Sequence, residues 1–187
     1  MRQGLTHSVI LVLGGVRSGK SRYAQQVAER SDRVTFIATA ERRDDEEMRL
    51  KVERHRAERP NHWVTVEEPL ELAQAINSGA SVSDLILVDC LTLFAANLLE
   101  THGEDETKLQ SRIDDLCNAL RSTSCPVVLV SNEVGSGVVP EYASGRRFRD
   151  LVGEINQRVA TVADDVLFMV AGLPLALKGS ITTEVRT

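Results

Sequence analysis

Gly14-Gly15-Val16-Arg17-Ser18-Gly19-Lys20-Ser21 satisfies every fixed position of the pattern G-x-x-x-x-G-K-[ST]. Glycines let a backbone curl until successive N–H groups face one concavity, and the positive end of a following helix adds to its attraction for phosphate. In such a loop Lys20 reaches the β- and γ-phosphates of a nucleotide, and Ser21 offers its hydroxyl to Mg²⁺. The expected ligand class is a nucleotide phosphate; the bland alternative is a glycine turn with an exposed lysine.

A second chemical position is Asp89, which ends the apolar run Leu85-Ile86-Leu87-Val88. A carboxylate there can help hold a Mg²⁺ that bridges nucleotide phosphates. It can equally serve as the N-cap of a helix that begins just after it. Glu133, in the glycine-bearing stretch 131–140, can act on a substrate hydroxyl or metal, or form a structural ion pair.

The third is His55, flanked by Arg54, Arg56 and Arg59. Neighbouring positive charge lowers an imidazole pKa, whereas a helix C-terminus raises it. A neutral imidazole is a nucleophile, and the same arginines can bind the phosphates of a nucleotide whose α-phosphorus it attacks. The structural alternative is a satisfied core histidine or a C-terminal helix charge.

Elements must place these groups. Residues 8–13 form a short, continuous apolar run, followed after the loop by Ala24, Val27 and Ala28 at helical spacing, so the loop joins a strand to a helix. Further strands are expected at 33–38, 84–88, 126–130 and 165–170, with 174–178 as a possible last one. Helices are expected at 70–77, 91–100, 107–122 and 147–163. None of the strands alternates cleanly with polar residues, which marks a parallel sheet covered on both faces. The fold class is α/β: a three-layer P-loop domain, with residues 1–187 as one unit. In such sheets ligands gather beyond the C-terminal ends of the strands. One more helix is expected at about 45–58, opened by Asp44 and Glu47 as a capping box and closed before Pro60. Met48, Val52 and His55 share its inner stripe, while Asp45–Arg49 and Glu47–Lys51 can pair on the outer side.

A net charge of −5 over 187 residues argues against nucleic acid held by general basicity. Cys90, Cys117 and Cys125 lack C-x-x-C spacing, as expected of reduced thiols in a cytoplasmic protein without a zinc site. The first apolar run is too short to span a bilayer.

In order along the chain stand Ile10 to Ser21, Phe36-Ile37-Ala38-Thr39-Ala40, Asp44 to Met48, His55 to Trp63 and Val88-Asp89-Cys90-Leu91-Thr92-Leu93. Asn132 to Pro140 and Phe148 to Gln157 follow. Together these resemble the bifunctional adenosylcobinamide kinase/adenosylcobinamide-phosphate guanylyltransferase. The resemblance spans about residues 9 to 178. It implies a RecA-like sheet, a homotrimer, and GTP, ATP and Mg²⁺ as small-molecule requirements, with adenosylcobinamide and its phosphate as substrates. It makes His55, the histidine of H-x-x-x-R-P, the residue that carries GMP; His62 matches a different family position. GTP contacts are implied at Gly14, Gly15, Val16, Arg17, Ser18, Gly19, Lys20 and Ser21, and at Ala38, Thr39 and Ala40. Arg56, Ala57, Glu58, Arg59, Glu67 and Asp89 complete that set, with Ser21 and Asp89 on the metal. Two departures stand out: the segment between Thr39 and Asp44 is a residue longer than the family pattern, and Phe94 stands where tryptophan is frequent. The rival readings are a P-loop small-molecule kinase without a covalent nucleotide, and a non-catalytic nucleotide-binding module.

Overall fold

The central apolar runs become strands buried almost throughout because helices cover both faces of the sheet. The computed structural model describes residues 8–40 and 60–180. The helix expected at 45–58, with His55 and Arg56 to Arg59, lies outside the described residues. Among the described residues, β1 (Val9–Gly14), β2 (Val34–Ala38), β3 (Val64–Glu67), β4 (Leu85–Asp89), β5 (Val127–Asn132), β6 (Asp165–Val170) and β7 (Leu173–Lys178) form one sheet. Its order is β3-β2-β4-β5-β1-β6-β7. Every pairing is parallel except β6 with β7.

Side chains alternate across the sheet, so each strand feeds two apolar layers. Leu11, Leu13, Ile86, Val88 and Leu129 meet α2 (Leu72–Ala80), α3 (Leu91–His102), α4 (Glu106–Ser122) and α5 (Ala143–Val162). On the opposite face Ile10, Val12, Phe36, Leu87 and Val128 pack against Tyr23, Ala24 and Val27 of α1 (Lys20–Ala28), with Trp63 beside them. Within the described residues, the helices expected after the loop and near 70–77, 91–100, 107–122 and 147–163 are present.

Two elements depart from expectation. The edge strand β3 has no counterpart in the sequence reading, because it is only four residues long and its ends, Val64 and Glu67, are exposed. An edge strand needs no continuous apolar run. Helix α5 starts at Ala143, ahead of the expected 147. Ser144 and Gly145 argue against helix there, yet the Arg146 guanidinium donates to the carbonyls of Pro140 (3.0 Å) and Glu141 (2.6 Å) and ties the first turn to the preceding loop. The possible last strand is real and runs antiparallel through a two-residue turn. Both turn residues, Ala171 (φ 52°) and Gly172 (φ 83°), have positive φ, the type I′ geometry that suits strand twist.

Candidate active site

The phosphate-binding loop leaves the C-terminal end of β1 and enters α1 at Lys20. Helix α1 carries no side-chain cap and no acidic residue in its own first turn, which leaves its first N–H groups free of an anionic cap from that turn. The loop is held open by backbone contacts from both sides. Gly172 N–H donates to the Ser18 carbonyl (2.9 Å), and Glu133 N–H donates to the Gly14 carbonyl (3.0 Å). Arg17 (φ 56°) and Gly19 (φ 97°) take left-handed backbone, and Val16 and Arg17 project outward. Among the described residues Ser18 Oγ is buried without a hydrogen-bond partner.

Lys20 is 7% exposed, and its ammonium bends back to donate to the Gly15 carbonyl at 2.6 Å. Burial depresses its pKa, while Cys90 and Asp89 oppose that shift. The lysine of the loop and the acid of β4 therefore share one electrostatic environment. Burial and the Asp89 carboxylate push the Cys90 thiol up to about 11, so it is a neutral thiol at physiological pH.

Sheet register gathers the other candidates. Ala38 lies opposite Asp89 on one side and Glu67 on the other, which puts three expected contacts in one row across β3, β2 and β4. Asp89 is the last residue of β4. The N-cap position of α3 falls on Cys90, one residue beyond Asp89. Thr39 is fully buried: its hydroxyl donates to the Cys90 carbonyl (2.7 Å) and accepts from the Cys90 N–H (2.8 Å). Its side chain thus locks the end of β2 to that of β4, leaving only its backbone neighbourhood to a nucleotide. Ala40, half-buried, follows at the rim. Glu133 accepts from Gly135 N–H at 2.6 Å and braces its own turn.

Sequence reasoning missed a set of buried polar residues behind this rim. Asn97 of α3 donates to the carbonyls of Thr39 (2.8 Å) and Pro69 (3.2 Å). Thr92 Oγ1 accepts from Asn132 N–H (2.9 Å), and Asn156 donates to the Asn132 carbonyl (3.1 Å). A lone asparagine within the apolar run of α3 was the available signal, since buried amides demand partners.

A family model described as "Cobinamide kinase / cobinamide phosphate guanyltransferase" matches residues 10–177. The chain belongs to this family. The bifunctional adenosylcobalamin biosynthesis protein CobP of Pseudomonas aeruginosa is 45% identical over 170 residues, covering 90% of this chain and 96% of that protein. The corresponding CobU of Escherichia coli is 39% identical over 181 residues, covering 91% of this chain and 99% of that protein. Among solved structures, the RadB recombinase aligns with a TM-score of 0.53 at 15% identity, over 96% of this chain and 84% of its own. That likeness supports a RecA-like fold. Family membership makes the chain a transferase of cobalamin biosynthesis, with cobinamide kinase and cobinamide phosphate guanylyltransferase activities.

In this family member the two adjacent loop glycines differ in the bulk they tolerate. A Cβ at Gly14 (φ 153°) would sit 2.6 Å from Ser18 Oγ and 2.7 Å from the Met169 carbonyl oxygen, whereas one at Gly15 would meet nothing within 4 Å. Gly14→Ala is expected to destabilise the fold by roughly 1–3 kcal/mol. Gly15→Ala is expected to keep the wild-type melting temperature. Thermal denaturation of the two variants side by side checks the contrast.

Proposed function

We propose that the chain phosphorylates the aminopropanol hydroxyl of adenosylcobinamide at the Gly14–Ser21 loop, then transfers GMP from GTP to that phosphate through a guanylylated His55. The convergence of Lys20 and Asp89 beside one loop carries the first half, in a chain whose family is both kinase and guanylyltransferase. In the kinase step the substrate oxygen attacks the γ-phosphorus of ATP or GTP, the β–γ bridging bond breaks, and the nucleoside diphosphate leaves as the hydroxyl proton is released. Alignment and charge neutralisation supply the catalysis, and Lys20 provides both.

In the second step a His55 ring nitrogen attacks the α-phosphorus of GTP and expels pyrophosphate. An oxygen of the substrate phosphate then attacks the same phosphorus, the P–N bond breaks, and adenosylcobinamide-GDP is released with the imidazole restored. Loop amides and Lys20 hold the triphosphate for both cuts, with Ala38, Thr39, Ala40, Glu67 and the segment Arg56 to Arg59 around the remainder of the nucleotide.

The oxygen donors Ser21 and Asp89 suit a hard cation, and the electrostatic influence of Asp89 on Lys20 sets that carboxylate near the loop. These two residues would hold Mg²⁺, which neutralises phosphate charge when bound. We assign the working form to a cytoplasmic homotrimer, as the family resemblance implies. Among the described residues no helix is long and apolar enough to cross a membrane.

Incubating the protein with adenosylcobinamide, GTP and Mg²⁺ is expected to yield the phosphate, then the GDP adduct with one pyrophosphate per adduct, followed by mass spectrometry. Phosphate without pyrophosphate would leave a plain kinase. Nucleotide binding without turnover would leave a regulatory module.

A further inference from the structure

The two transfers need a place for a bulky acceptor, and the described surface carries a cleft next to the phosphate loop. It has a volume of about 770 Å³ and runs between the loop after β5, one face of α5 and the β6–β7 edge. That is the scale of a small-molecule site. Its upper end abuts the nucleotide loop: Asn132 pairs with Gly14 across β5 and β1, and Glu133, which lines the cleft, donates its N–H to Gly14.

Along α5 the lining residues Arg149, Gly153, Asn156 and Gln157 recur at helical spacing, so one stripe of the helix faces the cleft. Asn156 is only 6% exposed, and its amide is half satisfied. Nδ2 donates to the Asn132 carbonyl, while Oδ1 is buried without a partner. A buried acceptor left unpaired among the described residues is one that a donor entering from the cleft can satisfy.

Gly153 supplies the second observation. Glycine inside a helix costs about 1 kcal/mol relative to alanine. Here a Cβ would meet nothing within 4 Å, so close packing among the described residues does not explain it. The space it leaves opens into the cleft. Opposite the polar stripe, Leu177 of β7 offers an apolar wall.

We propose that this cleft grips one edge of the corrin macrocycle of the acceptor, with Asn156 Oδ1 accepting from a peripheral primary amide. This assignment rests on the function proposed above. A corrinoid presents an apolar ring fringed by primary amides, each with two N–H donors and one carbonyl. Asn156 meets a donor, Arg149 and Gln157 can give hydrogen bonds to a carbonyl, and Leu177 packs on the ring edge. With the macrocycle so placed, its aminopropanol arm has the short path over Glu133 and Gly14 to the phosphate loop.

Gly153→Leu projects a branched side chain into the cleft from a position where a Cβ meets nothing within 4 Å, and it improves helix propensity. Circular dichroism and binding of a fluorescent GTP analogue are expected to match wild type, while KM for adenosylcobinamide in the kinase step rises about tenfold or more. Gln157→Ala, at an exposed helix position, gives a second reading should Gly153→Leu fold poorly; its KM is expected to rise about threefold. Unchanged KM in the folded variants would overturn the assignment. A changed sedimentation state with unchanged KM would also overturn it and give the cleft to a contact between copies. Absence of cobinamide turnover by the wild-type protein would instead defeat the function on which it rests, and that result is read before any variant is made.

Discussion

Lys20→Met is expected to slow phosphoryl transfer by about 10²–10³-fold while the protein stays folded. Methionine keeps much of the lysine's length and apolar stem and removes the ammonium that donates to the Gly15 carbonyl at 2.6 Å. When phosphates enter the loop, that ammonium can exchange a neutral carbonyl for charged oxygens, a stronger hydrogen bond in a partly desolvated setting. The variant loses this interaction as negative charge redistributes in the transition state. The same substitution does not remove a stabilising charge. Burial lowers the Lys20 pKa below its ordinary value, so the folded state binds fewer protons than the unfolded chain as pH approaches the lysine range. Stability attributable to this group therefore rises with pH in that window and is lowest where the lysine is fully charged. At neutral pH the methionine variant should melt at or above the wild-type temperature. Single-turnover kinetics together with a thermal melt read both halves of the prediction; a rate within threefold of wild type would remove Lys20 from the reaction.

The loop itself was legible because its function is carried by backbone, and the glycine and lysine spacing dictates that backbone directly. The sheet was legible for a related reason: Leu85 to Val88 and Val127 to Val130 are buried on both faces, and only apolar residues satisfy such positions. The edge strand β3 was not, since exposed Val64 and Glu67 obey no burial constraint. The roles of Thr39, Asn97 and Asn156 were also hidden. Each bonds to a residue at least 24 positions away, and which strand end lies across the sheet is a property of topology. Thr39 shows the consequence: its place at the end of β2 was readable, yet its hydroxyl turns inward to Cys90. Asp89 shows the opposite case: its place at the end of β4 follows from the apolar run before it, and the N-cap position of α3 falls one residue later, on Cys90.

His55→Ala is expected to abolish GMP transfer, by about 10³-fold or more, and to spare the kinase step. The reason lies in the two phosphorus atoms attacked. Phosphorylation of a hydroxyl at the γ-position needs no covalent intermediate, so the substrate itself can be the nucleophile beside Lys20. Transfer of the α-phosphoryl group through the protein needs a nitrogen that attacks, leaves with no charge problem, and is free of its proton at working pH. Of the side chains, imidazole meets those conditions most readily. With α-labelled GTP the wild-type protein should acquire a stoichiometric label that survives base and is lost in acid, as a phosphoramidate does. His62, exposed and seven positions further on, is the control: His62→Ala should label like wild type. Equal labelling of His55→Ala and wild type would move the covalent step to another residue. Loss of the kinase activity together with the label would mean that His55 serves the triphosphate as a whole, before either bond is cut.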